Sequence, residues 1–318
     1  MPLSPSFAIN HSVLERLIAI NRFSLPPGAD IIFFGIRGAL PSFESTGFAD
    51  SQEITLQDIN YLTPRCVMGQ WLPAQQKVAV FPGSTVPHRK HIQAAVANGG
   101  AGCNQMIPGL YLDYTVGFHK KSDPNKNGHA AFVQNADHPA RRTSDNLTFD
   151  DTDLIDISNQ ADNIHAGYCM TADTNFRTEM ESAGCQVVVG MPSNMNKTNR
   201  PEDIGPWRDF RKNGYDRKAI QSIFPYFMLP GNIVWSVAEG KNTPFPVRLR
   251  FGSSGDEVKV LQQKLIDQGF YNGKVDGGLG PKTFRALEQF QRKHFDNAAD
   301  GVVGDYTASL LGMTLPVA

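Results

Sequence analysis

The first sixty residues change from a helical to an extended pattern of hydrophobic positions. Ser12 and Glu15 have the spacing of a capping box, which predicts that a helix begins there. A short apolar run, Ile31 to Phe34, predicts a buried strand. The predicted helix places its apolar side chains on one face: Leu14, Leu17 and Ile18.

From residue 76 to about residue 190 the pattern consists of short apolar runs separated by turn residues. Val78 to Phe81 and Tyr111 to Val116 are two of these runs, and Pro82-Gly83 and Pro108-Gly109 are typical turn pairs. The pattern predicts a β-rich domain. Residues 137–162 are polar and acidic and predict a long surface loop, and residues 204–213 predict a helix.

The last part of the chain predicts a linker and a small helical unit with an internal repeat. Residues 239–246 contain Gly, Lys, Asn, Thr and two prolines, as linkers do. The segment Asp276 to Gly280 recurs 24 residues later as Asp300 to Gly304, and each copy precedes a short helical pattern. Because the glycines permit tight turns, three helices joined by such turns are expected. The first of them carries Val258, Leu261 and Leu265 at helical spacing.

Composition narrows the classes of function. The chain has 318 residues, 41% of them hydrophobic, which suggests a large and a small domain with buried cores. A formal net charge of −1 gives no electrostatic footprint for nucleic acid or an anionic membrane. Apolar runs are too short to cross a bilayer, and the N-terminus has no basic start of a secretory signal. We therefore expect synthesis in the cytoplasm and no use of the general secretory route.

Four cysteines are present without the spacing of a disulfide framework, so at least one is a candidate for chemistry. The strongest candidate is Cys185 in Ser182-Ala183-Gly184-Cys185, with His165 twenty residues earlier. A cysteine nucleophile reacts as the thiolate, and a neighbouring imidazole takes its proton and later protonates the leaving amine. Gly184 permits a sharp turn that presents backbone N–H groups to an oxyanion. The predicted catalytic set is Cys185, His165, Ser182 and Gly184.

A metal site is the alternative interpretation of the same residues. His165 and Cys169 are four residues apart, and Cys103 and Cys185 complete a possible zinc ligand set. The chain lacks both Cys-x-x-Cys and His-Glu-x-x-His. The sequence therefore favours the thiol chemistry, and neither a metal nor another cofactor is predicted.

Residues 247–312 resemble the peptidoglycan-binding domain of cell-wall hydrolases. The resemblance rests on Leu249 to Val258, on Gly269-Phe270-Tyr271, on the two Asp-Gly-x-x-Gly turns and on Phe290-Gln291. It implies binding of glycan or stem peptide in a groove between helices. Candidate contacts are Tyr271, Asp276 and Arg285, with a turn-capping role as the alternative for Asp276. We expect this unit, from about Thr243 onward, to fold alone and to bind purified cell walls.

The preceding region resembles the L,D-transpeptidase catalytic domain, most closely a branch associated with phages and prophages. The resemblance spans roughly residues 31–190. It departs at Ala183, where transpeptidases often have His, and at Val187, where they usually have Arg or Asn. The residues that carry it are Phe34 to Gly38, Pro108 to Tyr111, Gly117-Phe118-His119, Ala131 to Gln134, Asn163-Ile164-His165 and Ser182 to Gln186.

The resemblance implies that Cys185 attacks the carbonyl of the third, diamino-acid residue of a peptidoglycan tetrapeptide stem. The terminal D-Ala leaves, and the thioester is resolved by another stem's amine or by water; the same pair of residues would also cut an existing cross-link. His119 and Tyr111 are candidate substrate contacts. The alternatives are that His119 orients the catalytic pair or is an ordinary packed or solvated histidine, and that Tyr111 belongs to the core. Arg142, or Arg141, is a candidate for the contact to the substrate carboxylate that Val187 puts in doubt, with a solvated surface side chain as the alternative for both.

The predicted fold class is α+β, a β-rich L,D-transpeptidase-like catalytic domain plus a small three-helix peptidoglycan-binding domain. The predicted division is an N-terminal extension (1–62), the catalytic domain (63–238), a linker (239–246) and the binding domain (247–318). The expected partner is peptidoglycan in the periplasm, reached by a non-general export route. The chain would act as a phage lysin or as an antibacterial effector, which adds an immunity protein and a secretion machine as partners. A wall-binding protein without catalysis is the remaining alternative.

Overall fold

The computed structural model describes residues 4–43, 47–99, 102–120, 128–143, 146–170, 177–193, 201–240 and 243–318. The strands are β1 (Ser6–Asn10), β2 (Ile32–Arg37), β3 (Ala39–Pro41), β4 (Ser51–Leu56), β5 (Cys66–Leu72), β6 (Lys77–Ser84), β7 (Cys103–Met106), β8 (Gly109–His119), β9 (His129–Val133), β10 (His138–Thr143), β11 (Leu154–Ser158), β12 (Ile164–Ala166), β13 (Gln186–Val188) and β14 (Phe224–Pro230). The helices are α1 (His11–Ile20), α2 (Arg89–Asn98), α3 (Pro206–Tyr215), α4 (Gly231–Glu239), α5 (Asp256–Asp267), α6 (Pro281–His294) and α7 (Asp305–Leu311). The predicted α+β class with a β-rich main part is confirmed.

Eight strands form a closed barrel in the order β12-β13-β6-β5-β2-β14-β8-β9, and β9 pairs with β12 to close it. Most neighbours are antiparallel, but β14 with β2 and β12 with β13 are parallel. Two three-stranded sheets, β1-β4-β3 and β11-β10-β7, lie outside the barrel. The parallel pair β12 and β13 aligns its two N-terminal ends, so residues 163–165 and 185–187 lie side by side.

Strand β2 is buried on both faces, which explains its continuous apolar run. Phe33 points into the barrel and packs on Phe132, with ring centroids 4.7 Å apart, while Phe34 lies in a second apolar cluster with α1 and α4. Gly69 on β5 stands opposite Phe34, and a Cβ atom there would lie 2.1 Å from the Phe34 ring. Residues 1–62, set apart as an extension by the sequence, thus contribute a central barrel strand.

Helix α1 begins two residues earlier than the capping box predicts. Asn10 is the N-cap, and its side-chain oxygen accepts a hydrogen bond from the backbone N–H of Val13 at 3.0 Å. Ser12 lies inside the helix and donates its hydroxyl to the same Asn10 oxygen. The capping-box prediction was wrong, since Asn10 is an equally good cap and stands directly after a strand. The predicted apolar face holds for Leu14 and Leu17, which are buried with Val13 and Ile20.

The segment 137–162 was predicted to be a surface loop, and this prediction was wrong because it contains β10 and β11. These strands pair in antiparallel register, with Ala140 opposite Asp156 and Arg141 opposite Ile155. Polar side chains such as His138 and Thr143 are buried in β10. The helix predicted over 204–213 exists as α3, which starts with Pro206 at its first turn. Its Phe210 packs against Phe33 in the barrel.

The C-terminal part consists of α5, α6 and α7, and its internal repeat builds the same hydrogen-bonded turn twice. In the first turn, Gln262 donates to the Asp276 carboxylate at 2.7 Å and accepts from the Gly277 N–H. In the second turn, Gln291 donates to Asp300 at 2.7 Å and accepts from the Gly301 N–H. Each buried glutamine thereby holds a glycine-containing turn against the next helix.

This helical unit is docked on the barrel by backbone and side-chain hydrogen bonds. The Leu110 N–H donates to the Phe251 carbonyl at 2.9 Å, and Tyr111 packs on the Phe251 ring. Arg250 is buried and donates to the Asn21 side chain at 2.7 Å. The apolar core of the barrel therefore continues into the core of the helices. Within the described residues, every helix is too short or too polar to cross a bilayer.

Candidate functional site

Cys185 stands at the end of a tight loop that leads directly into β13. The Ser182 hydroxyl donates to the Cys185 carbonyl at 2.7 Å and accepts from the Gly184 N–H at 3.1 Å, so it closes the loop around the cysteine. Gly184 has φ +150°, and a Cβ atom there would lie 2.6 Å from the Asp162 carboxylate. Ser182 and Gly184 thus shape the loop. Since the Gly184 N–H is already bonded to Ser182, it is not a free donor for an oxyanion.

His165 lies on β12 and is paired in parallel register with Val187 of β13. Val187 follows Cys185 by two residues. Its Nδ1 is 2.8 Å from the backbone carbonyl of Ala166. A carbonyl only accepts hydrogen bonds, so Nδ1 carries the proton and Nε2 of the neutral ring carries the lone pair. The backbone thereby fixes the tautomer in which His165 is a base at Nε2.

His119 ends β8 and stacks on His165, with ring centroids 4.2 Å apart. The Asn163 side-chain nitrogen donates to His119 Nδ1 at 2.9 Å. The orientation of this amide is fixed because its oxygen accepts the Gln134 N–H at 3.0 Å. His119 Nδ1 is therefore an acceptor, and its neutral ring carries the proton on Nε2. The two stacked imidazoles thus offer one lone pair and one N–H donor.

The Cys185 sulfur and one ring nitrogen each of His119 and His165 all lie within 4.8 Å of one another. The predicted nucleophile and base are therefore neighbours, as is His119. The thiol of Cys185 points towards the Ala161 carbonyl at 3.6 Å. His129, which pairs with His119 across β8 and β9, packs edge-on against His165.

Burial keeps the resting thiol and the two imidazoles uncharged. It raises the pKa of the Cys185 thiol far above its ordinary value, and ionised Asp162 raises it further. Opposing this, the backbone N–H groups of Asn163 and Cys185 itself face the sulfur and lower the pKa. Burial lowers the pKa of His165 strongly and that of His119 to about 3. His129 lowers both further, and His119 also lowers the pKa of His165. The resting pair is thus a neutral thiol beside a neutral imidazole.

Asp162 is a site residue that the sequence analysis missed. Its carboxyl group is 4% exposed, and burial raises its pKa to about 7. Asn104 donates to it at 3.4 Å, while the Tyr114 hydroxyl and the Gln134 side chain hold its backbone. Its signal in the sequence is weak: a polar Asp-Asn pair directly before a buried strand that carries a candidate histidine.

The same three side chains are the group that could hold a metal ion in the described part of the chain. His165 Nε2 and the Cys185 sulfur are suitable ligands. His119 is less suitable, because Nε2 carries the proton and Nδ1 is occupied by Asn163. Coordination by His119 would break this hydrogen bond or leave two donors facing each other. Cys103, proposed in the zinc alternative, instead donates its thiol to the Ala183 carbonyl.

The arginines suggested as carboxylate contacts are engaged in ion pairs. Arg142 pairs with Asp156 at 2.7 Å, and its charge reaches Asp162. Arg141 is buried, pairs with Asp151 at 2.6 Å and donates to the Ala299 carbonyl of the helical unit. Arg141 therefore serves the docking of the two parts.

Three other predicted contacts lie away from the Cys185 site. Tyr111 is buried in the core, donates its hydroxyl to the Ile107 carbonyl and packs on Phe251. Tyr271 donates to the Lys274 carbonyl at 3.0 Å and lines a cleft beside α6. Asp276 holds the first repeat turn, which matches the turn-capping alternative. Contact of any of the three with wall polymer remains a prediction.

Comparison with known proteins identifies the helical unit. Residues 254–311 match the family described as "Putative peptidoglycan binding domain". The chain therefore carries a C-terminal peptidoglycan-binding domain and is related to proteins that act on peptidoglycan. No solved structure matches.

Relatives of known name match over limited stretches. The Spore cortex-lytic enzyme of Bacillus cereus is 47% identical over 60 residues, which are 19% of this chain and 23% of that protein. N-acetylmuramoyl-L-alanine amidase CwlM of Mycobacterium tuberculosis is 49% identical over 53 residues, 17% and 13% of the two chains. Type VI secretion system spike protein VgrG3 of Vibrio cholerae is 31% identical over 138 residues, 39% of this chain and 12% of the spike protein. The chain thus spans less than a quarter of each of these relatives.

Proposed function

We propose that this protein is a cysteine-dependent enzyme that modifies the stem peptides of peptidoglycan. The observation that supports it is the triangle of Cys185, His165 and His119 in the same chain as a peptidoglycan-binding domain. The resemblance of the barrel region to L,D-transpeptidases supports the choice of stem peptide as substrate. Two relatives are named as wall-lytic or amidase enzymes, which agrees with action on this polymer.

In the proposed reaction, the neutral resting pair becomes reactive only as substrate arrives. His165 Nε2 takes the thiol proton while the Cys185 sulfur bonds to the stem carbonyl carbon, so an oxyanion forms. The N–H of His119 Nε2 and the backbone N–H of Cys185 are the candidate donors for this oxyanion, since the Asn163 N–H already donates to the Ala161 carbonyl. The carbon–nitrogen bond then breaks, and His165 returns the proton to the leaving amine. An amine or water resolves the thioester to give a cross-link or a trimmed stem.

The experiment is analysis of muropeptides by mass spectrometry after incubation with the purified full chain. Cys185→Ala should abolish any change, and His165→Ala should lower the rate on the order of 100-fold or more. Cys103→Ala is the matched control, because Cys103 is a second buried thiol that touches the same loop. Full activity of Cys185→Ala, or loss of activity in Cys103→Ala alone, would remove Cys185 as the nucleophile.

A zinc-dependent wall hydrolase is the second candidate, favoured by the closeness of the three ligand atoms. The hydrogen bond from Asn163 to His119 argues against it, as described above. The metal content of the purified protein, measured together with activity after chelation, separates the two. We expect chelation to leave activity intact; activity that is lost on chelation and restored by zinc would establish the metal mechanism instead.

The route of delivery is part of the proposal. A spike protein of a type VI secretion system is among the relatives, and its alignment covers more of this chain than the binding domain alone. This favours an antibacterial effector over a phage lysin. An effector requires an immunity protein in the producing cell, so co-expression of the neighbouring gene should protect cells from periplasmic expression of this chain.

A further inference from the structure

The helix that follows each turn of the internal repeat, α6 or α7, borders a cleft near its start. The first-repeat cleft, about 580 Å³, is lined by Tyr271 and Lys282, and the second-repeat cleft, about 520 Å³, by Phe295 and Tyr306. Phe295 follows Tyr271 by 24 residues, and Tyr306 follows Lys282 by 24 residues, so the two clefts are related by the repeat. Their chemistry differs, because an aromatic ring in the second repeat stands where the first has a lysine.

The second-repeat cleft presents an open aromatic surface. Tyr306 is 69% exposed and stacks on Phe295, with ring centroids 5.3 Å apart and planes at 26°. One face of the Tyr306 ring packs on Phe295, and the other is exposed to solvent. An exposed aromatic face beside polar groups is suited to the C–H face of a sugar ring.

The charges around this cleft favour a neutral ligand rich in hydroxyl groups. Its lining includes three carboxylates and one guanidinium, so it is acidic overall: Asp151, Asp300, Asp305 and Arg248. A stem peptide that carries free carboxylates would be repelled, whereas sugar hydroxyls would donate to the carboxylates. The Arg248 guanidinium lies over Gly304 and 3.7 Å from Asp305, so it partly neutralises one of the carboxylates.

We propose that the second-repeat cleft is the glycan subsite, with a sugar ring of the peptidoglycan strand packed on Tyr306. This deepens the wall-binding part of the proposed function and does not depend on the chemistry of Cys185. The first-repeat cleft, where Lys282 takes the place of Tyr306, then does not carry the glycan strand.

The test uses the full chain with Cys185→Ala, so that the wall is bound but not altered. On this background Tyr306→Ala should weaken co-sedimentation with purified sacculi about tenfold, the equivalent of roughly 1.4 kcal/mol for one aromatic contact. Tyr306→Phe should bind as the parent does. Lys282→Ala, the matched position in the first repeat, should bind within about twofold of the parent.

Competition then distinguishes glycan from peptide. Glycan strands freed of stems by an amidase should displace the protein from sacculi, and soluble stem peptides should not. The proposal fails if Tyr306→Ala binds normally, if Lys282→Ala shows the loss instead, if stem peptides alone compete, or if the parent does not bind sacculi. A failure of the catalytic proposal looks different, because muropeptides would then stay unchanged while binding persists.

Discussion

The buried carboxyl group of Asp162 gives the sharpest quantitative test of the site. Its pKa is about 7 in the folded protein, whereas an aspartate outside the folded structure has the ordinary pKa of 3.8. Between about pH 4 and pH 7 the folded state therefore binds a proton that the unfolded state has lost. Stability contributed by this group is therefore present at low pH and is lost as pH rises through that window. A shift of about three units corresponds to roughly 4 kcal/mol as an upper limit.

The perturbation is Asp162→Asn, which keeps the shape of the side chain and removes the charge. At pH 5 the native carboxyl is protonated while that of the unfolded chain is largely ionised, so we expect the variant to be more stable than the parent by about 2 kcal/mol at most. At pH 8 the parent holds a buried charge, and the variant should be more stable by up to about 4 kcal/mol. The measurement is urea unfolding at both pH values.

Asp113 is a matched control with the opposite sign. Burial raises its pKa, but His138 and the backbone N–H groups of Asn135 and Ala136 outweigh this and lower it overall. Asp113→Asn should therefore cost stability at pH 8 and less near pH 3, as the carboxylate of the parent becomes protonated. If Asp162→Asn shows the same difference at pH 5 and pH 8, or is less stable than the parent at pH 8, the assignment of Asp162 as a buried acid is refuted.

A second readout links Asp162 to the candidate nucleophile. Because ionised Asp162 raises the pKa of the Cys185 thiol, its removal lowers that pKa. Alkylation of Cys185 by iodoacetamide at pH 8 should then be faster in Asp162→Asn than in the parent. Alkylation in Cys185→Ala supplies the background from the other thiols. An unchanged rate for Cys185 would show that Asp162 does not act on the sulfur.

Two further predictions each concern one side-chain hydrogen bond, the first beside His119 and the second where the helical unit docks. In Asn163→Asp, the new carboxylate would accept both the Gln134 N–H and a proton on His119 Nδ1, which leaves the lone pair of Nε2 free for a metal. Zinc affinity measured by calorimetry should therefore rise about 10- to 100-fold. An unchanged affinity would contradict the tautomer assigned to His119. Asn21→Ala removes the hydrogen-bond partner of the buried Arg250 side chain and should lower the free energy of unfolding in urea by about 2 kcal/mol. Arg22→Ala removes the more exposed ion pair with Glu257 and should lower it by less than about 1 kcal/mol. Equal losses would mean that the bond between Arg250 and Asn21 contributes little to the docking of the helical unit.

The sequence predicted that Cys185 and His165 act together, and the structure brings them close because they lie on neighbouring parallel strands. Cys185 and His165 each stand at the start of a short strand, and β12 and β13 align these starts. Strand starts that carry Gly and polar residues are visible in a sequence. The tautomers of His165 and His119 were not, since they depend on the Ala166 carbonyl and on an amide held by Gln134.

Strands β10 and β11 were missed for a physical reason. A strand is recognised by apolar alternation, but β10 buries polar side chains whose partners are far away in sequence. His138 pairs with Asp113 at 2.6 Å, and Arg141 reaches Ala299. Burial of such groups follows from long-range hydrogen bonds, which a local pattern does not contain.

The docking of the wall-binding domain changes what such a domain can do for an enzyme. On a flexible linker, a binding domain raises the local concentration of every stem within reach. Here Arg250 and Phe251 fix the domain to the barrel, and Asp151, from the loop between β10 and β11, lines the second-repeat cleft itself. The proposed glycan subsite is therefore complete only in the docked arrangement. Because the domain is docked, a glycan strand held on Tyr306 would keep one orientation relative to the barrel that carries Cys185.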